Sequence, residues 1–241
     1  FQILAGSKYG GGLQLSGSSD RDGGSATAII SGEGTRLVAE DGNIMIGMNG
    51  GTSKFMVSDG ATVESLFFTS GRAGFGETVF DGEGTSLVLS GSEITPEYGA
   101  FLQVGRDASG TFTLSNGADV TIIGDGGEYP GLSAGTSNGS DGVLTVTGAG
   151  STLTVDGANN VYDGFGSTGY IRVARDEGSN GTINVLDGGV VNNDETGVLI
   201  VAQEAGSTGV VNVDGAGSLF DFGAAAQLAR NTDNGRGEST V

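Results

Sequence analysis

The stretch Val143-Leu144-Thr145-Val146-Thr147-Gly148-Ala149-Gly150-Ser151-Thr152-Leu153-Thr154-Val155 decides the fold. Its side chains alternate on both sides of a Gly-x-Gly corner. Leu144, Val146, Leu153 and Val155 point one way, and Thr145, Thr147, Thr152 and Thr154 the other. A period of two predicts strand, so the stretch reads as two short strands hinged on the glycines.

Working outward, the chain writes this corner four times: Gly32-Glu33-Gly34-Thr35, Gly82-Glu83-Gly84-Thr85, Gly148-Ala149-Gly150-Ser151 and Gly215-Ala216-Gly217-Ser218. Leu37, Leu87, Leu153 and Phe220 follow each first glycine at the same distance; Ile30, Phe80, Val146 and Val213 precede it. A second anchor falls between these copies, as Asp59-Gly60-Ala61, Asn116-Gly117-Ala118 and Asp187-Gly188-Gly189. Asp-Gly and Asn-Gly supply the positive φ of a sharp corner. A third element pairs an aliphatic residue with Gly or Ala: Leu4-Ala5, Ile46-Gly47, Val104-Gly105, Val173-Ala174, Val201-Ala202 and Leu228-Ala229. Small residues there would let neighbouring backbones approach closely.

Glycine-cornered strands recurring at a long, imperfect period predict an all-β chain, a parallel β-helix (β-solenoid). One rung cannot bury its inner face alone, whereas stacked rungs pair every backbone group and close one core. The spacing of 50 to 67 residues between first anchors predicts two to three turns of coil per repeat. About 20 residues per rung gives on the order of 12 rungs and roughly 55 Å. An antiparallel sandwich or barrel is the architectural alternative. The 241 residues read as one solenoid, anchored near 32, 82, 148 and 215, and as a piece of a longer chain, because the sequence begins at Phe1, without a Met, and ends at Val241 in mid-pattern.

Composition narrows the chemistry. There is no Cys, His or Trp, which removes disulfides and the usual zinc or iron ligands. A net charge of −19 with ten Lys and Arg argues against nucleic acid and anionic membrane surfaces. No run reaches the length of a membrane span. No cofactor and no resident metal is expected. The excess of carboxylates, in clusters such as Asp20/Asp22, Asp125/Glu128, Asp156/Asp163, Asp176-Glu177 and Asp194-Glu195, leaves weak calcium binding as the alternative to a solvated acidic surface.

The pattern V-x-G-x-G-S-x-L-x-V in Val146–Val155, with the related runs Val104–Val120 and Val201–Gly217, resembles the repeat of bacterial autotransporter (type V secretion) passengers and PEP-CTERM-associated surface proteins. The resemblance covers nearly the whole chain. It implies a right-handed parallel β-helix at the bacterial surface and carries over no catalytic residue.

Candidate function lies where the repeats disagree. Extra residues enter at Gly91–Gly99, Gly124–Pro130 and Ala158–Gly169, and bring Tyr98, Tyr129, Tyr162, Phe165 and the flanking Tyr170. In solenoids such insertions map to loops, often on the binding face, where exposed aromatics suit a carbohydrate or a surface protein. The function expected is a non-catalytic extracellular stalk, adhesin or matrix filament subunit, with homo-assembly as a further outcome. The rival class is a carbohydrate-active β-helix. Arg106-Asp107 and Arg175-Asp176 recur with the repeat, which marks them as structural rather than catalytic. Thr111/Thr113, Thr145/Thr147 and Thr152/Thr154 have the local form of an ice-binding row but are too sparse to make one.

Overall fold

A computed structural model of the chain describes residues 2–4, 12–16, 23–90, 100–125, 131–159, 169–229 and 238–240. Every strand pairing within them is parallel; the single antiparallel contact is an isolated bridge from Met48 to Ala73. The antiparallel alternatives are therefore excluded. The fold is an all-β parallel solenoid.

The coil has three faces. Rung 1 holds β1 (Gln2–Leu4), β2 (Gly12–Leu15) and β3 (Ser25–Ser31) on faces 1, 2 and 3. In rung 2, β4 (Arg36–Ile46) bends through faces 1 and 2 before β5 (Thr52–Ser58); rung 3 repeats this with β6 (Thr62–Ser70) and β7 (Phe75–Asp81). Rung 4 has β8 (Ser86–Ser90), β9 (Phe101–Val104) and β10 (Gly110–Ser115). Rung 5 has β11 (Asp119–Asp125), β12 (Gly131–Ala134) and β13 (Asp141–Thr147). Rung 6 has β14 (Thr152–Asn159), β15 (Tyr170–Val173) and β16 (Asn180–Leu186). Rung 7 has β17 (Val190–Asn193), β18 (Val198–Val201) and β19 (Thr208–Asp214), and rung 8 has β20 (Leu219–Asp221), β21 (Ala225–Leu228) and β22 (Glu238–Thr240). Because β4 and β6 turn the corner without a break, faces 1 and 2 form one 14-stranded sheet, and face 3 is a separate 8-stranded sheet.

The stretch that opened the reading behaves as expected. Leu144, Val146, Leu153 and Val155 are all fully buried, the first two on face 3 and the last two on face 1. The rung count does not. Eight rungs at roughly 4.8 Å span about 34 Å between the first and the last, not 55 Å. The two anchors that the sequence separates are one corner, between faces 3 and 1, built in two ways on alternate rungs. Rungs 1, 3, 5 and 7 use Gly-x-Gly-[Thr/Ser]; rungs 2, 4 and 6 use Asp-Gly or Asn-Gly. Each long repeat is therefore two turns.

The alternation has a bonding reason. The hydroxyl of a long corner donates back to its own rung, Thr85 to Asp81 O at 2.9 Å and Ser151 to Thr147 O at 2.8 Å. The same oxygen accepts from the glycine N–H of the short corner on the rung before, Gly60 to Thr85 at 3.1 Å, Gly117 to Ser151 at 3.0 Å and Gly188 to Ser218 at 3.0 Å. Long and short corners are thus clipped in pairs. Ser151→Ala leaves the Gly117 N–H without its acceptor and is expected to lower stability by about 1–2 kcal/mol in urea unfolding.

The corner between faces 2 and 3 is uniform. Ser16, Gly47, Gly71, Gly105, Gly135, Ala174, Ala202 and Ala229 occupy it on successive rungs, each with φ between 49° and 83°. Leu4-Ala5 is not part of this series. Leu4 pairs with Glu40 on face 1, and Leu15-Ser16 takes the place expected for it. Facing this corner stands a second column, Gly76, Gly110, Gly142, Gly181 and Gly209, pressed against the last carbonyls of face 2.

Packing differs along the axis. Phe55, Phe68, Phe80 and Phe112 fill the core of rungs 2 to 4, with ring centroids 5.4–6.2 Å apart. Room for Phe68 comes from small neighbours: Thr78 and Ser70 are fully buried, bonded to each other at 3.1 Å, and Ser70 donates on to Thr111 O at 3.0 Å. Further along, aliphatic residues such as Leu144 and Ile183 take over.

Candidate functional site

The three insertions leave the coil at one corner, between faces 1 and 2, on consecutive rungs. They follow Ser90, Asp125 and Asn159 and return at Ala100, Gly131 and Gly169. Parallel registers β8–β11–β14 and β9–β12–β15 put these anchor points side by side. Gly124, Asp125, Ala158 and Asn159 belong to strands rather than to insertions. Tyr98, Tyr129, Tyr162 and Phe165 lie outside the described residues, as do Asp20, Asp22, Glu128 and Asp163.

Tyr170 is described. It is the first residue of β15, outward on face 2 and half-buried, with the Arg172 guanidinium 4.9 Å above its ring. Its register partner is Gly131, whose own partner is Phe101, and Phe101 in turn pairs with Phe67. Phe67 and Phe101 stack at 5.7 Å with planes 18° apart. The ring positions Phe67, Phe101 and Tyr170 therefore share one column along face 2, interrupted by the buried Gly131. A Cβ at Gly131 would lie 2.5 Å from Tyr170 O, so the column has no room for a side chain there. Phe67 and Phe101 escape sequence reading because 34 residues separate them; only the register places them together.

Beside the rings runs a polar column, Thr69, Gln103, Ser133 and Arg172. Thr69 and Ser133 are outward yet only 4% exposed, because longer neighbours on adjacent rungs shade them. Next comes the corner series Arg72, Arg106, Thr136, Arg175 and Gln203, aligned by Arg106 N to Gly71 O, Thr136 N to Gly105 O, Arg175 N to Gly135 O and Gln203 N to Ala174 O. Arg72, Arg106, Arg172 and Arg175 are four of the six cationic side chains among the described residues. Burial, then the neighbouring charges of Arg72 and Arg175, pushes the Arg106 guanidinium below its ordinary value.

Acidic partners balance the arginines. Asp107 pairs with Arg72, lies 3.8 Å from Arg106 and accepts from Ser137 Oγ at 2.7 Å. Asp176 takes Arg175 in a fork at 2.7 and 3.0 Å. Gln203 Nε2 donates to Glu204 at 3.3 Å. Two side-chain atoms in this corner, Thr136 Oγ1 and Gln203 Oε1, are buried without a hydrogen-bond partner. Arg72 belongs to the same series as Arg106 and Arg175, but Ser70-Gly71 hides it from the aliphatic-plus-small pattern.

Other acidic groups are held by hydroxyls and amides. Asp59 accepts from Ser31 at 2.5 Å and Ser58 at 3.0 Å, which together hold its carboxyl below the usual range. Asp81 accepts from Ser115 and Asn116 at 2.6 and 2.7 Å. Among the described residues no group of three or more His, Cys, Asp or Glu could hold a metal ion. Partial burial pushes the Asp119 carboxyl up. A raised folded-state value favours folding below the unfolded-state value and loses that contribution as pH rises through the folded one. Asp119→Asn is therefore expected to melt no lower than the parent at pH 7, with any gain vanishing in the acid range, as read by Tm against pH.

The threonine rows are split. Thr113 and Thr145 align on face 3 and continue into Asn184 and Asn212, whose amides form a ladder with a 2.8 Å link, while Thr152 and Thr154 sit on face 1. They do not form one flat array. Among the described residues no helix is long and apolar enough to cross a membrane. Compared with protein-family models, curated proteins and solved structures, the chain has no match.

Proposed function

We propose that the chain is a non-catalytic, extracellular or cell-surface solenoid, a stalk or adhesin that holds variable loops away from the cell. One observation supports this reading: the three faces run through eight rungs, while the connection between faces 1 and 2 ranges from a continuous strand in rungs 2 and 3 to ten residues in rungs 4 and 6. Function by display needs that separation of a regular scaffold from irregular loops. The resemblance to autotransporter passengers and PEP-CTERM-associated proteins supports export to a bacterial surface, and the −19 charge suits a soluble β-rich rod that resists lateral pairing.

A carbohydrate-active β-helix is the competing class. Its chemistry needs a singular pair of carboxylates or a cationic base in a cleft. Here the described arginine–aspartate pairs repeat with the rungs, as ladder elements do. The discriminating experiment incubates the purified chain with acidic and neutral polysaccharides and follows reducing ends and unsaturated products. No release is expected. Product formation that a single carboxylate replacement abolishes would overturn the reading.

A further inference from the structure

We infer that Asn138 is a self-modification site, at which the folded chain cyclises onto Gly139 and converts a neutral amide to aspartate and isoaspartate. Asn-Gly is the sequence that allows this chemistry, because glycine puts no side chain in the way of the ring. The described residues hold four such pairs, and three are locked. Gly50 N donates to Ala73 O at 2.6 Å. Gly117 N donates to Ser151 Oγ at 3.0 Å, and the Asn116 amide donates to Asp81 at 2.7 Å. The Asn180 amide donates to Asp141 at 2.8 Å, and Gly181 is buried, its Cβ position only 2.3 Å from Ala134 O.

Asn138-Gly139 is the open pair. It forms the centre of the turn from Ser137 to Ser140, at the corner between faces 2 and 3 of rung 5, and both residues are exposed. Ser140 N donates to Ser137 O at 3.0 Å, Ser140 Oγ to the same oxygen at 2.7 Å, and Ser137 N to Ser140 Oγ at 3.1 Å. None of these bonds uses the peptide between Asn138 and Gly139, and among the described residues no hydrogen bond involves Gly139 N, the Asn138 carbonyl or its amide. Nothing lies within 4 Å of a Cβ position at Gly139, whose φ is +70°. The Cβ that Gly178 lacks on the next rung would stand 4.0 Å from Gly139 N, so that nitrogen is uncovered. The central peptide can therefore rotate until Gly139 N meets Asn138 Cγ without breaking the serine clasp. The equivalent turns on rungs 6 and 7 repeat the clasp with Glu177 and Ala205 in that place, so of the three only the rung 5 turn carries an amide.

The chemistry needs only water. Gly139 N loses its proton to solvent and bonds to Asn138 Cγ, and Nδ2 leaves as ammonia. Water then opens the succinimide: at Cγ it gives aspartate, and at the main-chain carbonyl it gives isoaspartate, with an extra methylene in the chain. The new carboxylate joins a corner that already holds Asp107, Asp176 and Glu177. Isoaspartate also lengthens the turn that ties Ser137 Oγ to Asp107 at 2.7 Å and Ser140 O to Asn180 N at 2.8 Å. Charge and stiffness at this corner thereby change with the age of the chain.

This site does not depend on the display reading: a stalk without it remains a stalk. The test ages the purified 241-residue chain below its melting temperature at mildly alkaline pH, beside a sample unfolded in urea, and maps the peptides by mass spectrometry. In the folded chain the mass gain of amide-to-acid exchange is expected at Asn138 at least about tenfold faster than at Asn49, Asn116 or Asn180, as paired aspartate and isoaspartate products. In urea the four should convert at similar rates, since only the fold separates them. Gly139→Ala, shown by its melting curve to be folded, should slow conversion at Asn138 about tenfold, because its methyl crowds the ring. An Asn138 that stays intact, equal rates at the four pairs in the folded chain, the same preference for Asn138 in urea, or parent-like conversion in folded Gly139→Ala would overturn the inference.

Discussion

Gly142→Ala is expected to lower stability by about 3 kcal/mol or more, a large effect for one methyl group. The φ of Gly142 is not the difficulty; space is. A Cβ there would lie 2.1 Å from Val104 O and 2.3 Å from Gly135 N, both backbone atoms that cannot swing aside. Relief requires parting β13 from the face 2 corner, which disturbs the stack on both sides. The same collision recurs up the column, at 2.2 Å from Ser70 O for Gly110 and 2.3 Å from Ala134 O for Gly181. Gly24→Ala is the control, since nothing lies within 4 Å of its Cβ, and it should unfold at the parent's urea midpoint. Gly139→Ala is intermediate. Its Cβ meets open space but its φ is +70°, so about 1 kcal/mol is expected from the left-handed conformation alone. Urea unfolding of the three proteins ranks them.

Phe80→Ala carries the second large effect, about 3–5 kcal/mol. Phe80 is fully buried and touches Phe55, Phe68 and Phe112, so its removal opens a cavity walled by rings already committed to each other. Val146 stands in the same inward column two rungs on, through Leu114. Val146→Ala removes fewer atoms and is expected to lose less. Location also matters. Each rung of a solenoid touches only its neighbours, so the loss at Phe80 should show first in rungs 2 to 4. Amide exchange should quicken in β5, β7 and β10 well before β16 and β19. Uniform loss of protection along the whole coil would contradict that one-dimensional picture.

Much of this scaffold is legible in the sequence because its physics is local. Alternation assigns Leu144, Val146, Leu153 and Val155 to the core, and Asp-Gly, Asn-Gly and Gly-x-Gly mark the corners. The number of rungs is not legible, because two corners of different chemistry occupy one place and are joined by hydrogen bonds across rungs, Gly60 to Thr85 and Gly117 to Ser151. Ser16 shows a similar limit. It adopts a φ of 65° in a series otherwise filled by Gly and Ala, so a pattern of small residues passes over it and settles on Ala5 instead.

The candidate site is less legible still. Tyr170 stands out in the sequence because it adjoins an insertion. Phe101 and Phe67 are brought into its column only by pairing across rungs of unequal length, through Gly131. Arg106 and Arg175 repeat visibly, and that repetition rightly marks them as ladder residues. It does not reveal that Thr136 lies between them with an unpartnered hydroxyl. Non-local register, and not residue type, holds that information.

The central claim is that the repeated corners make the scaffold and the insertions are additions to it. Rung 7 supplies the natural short connection: Asp194–Gly197 closes the same corner, with Asn193 donating to Gly169 O and Phe222 O at 3.3 Å and accepting from Asp194 N at 3.1 Å. The most direct measurement is thermal unfolding, by circular dichroism, of a variant in which residues 91–99, 126–130 and 160–168 are each replaced by that connection. The trimmed chain is expected to keep its β-sheet spectrum and to melt cooperatively within about 4 °C of the parent. A chain that loses its β-sheet signal, or melts far below the parent, would mean that the insertions hold the coil together and would contradict the claim.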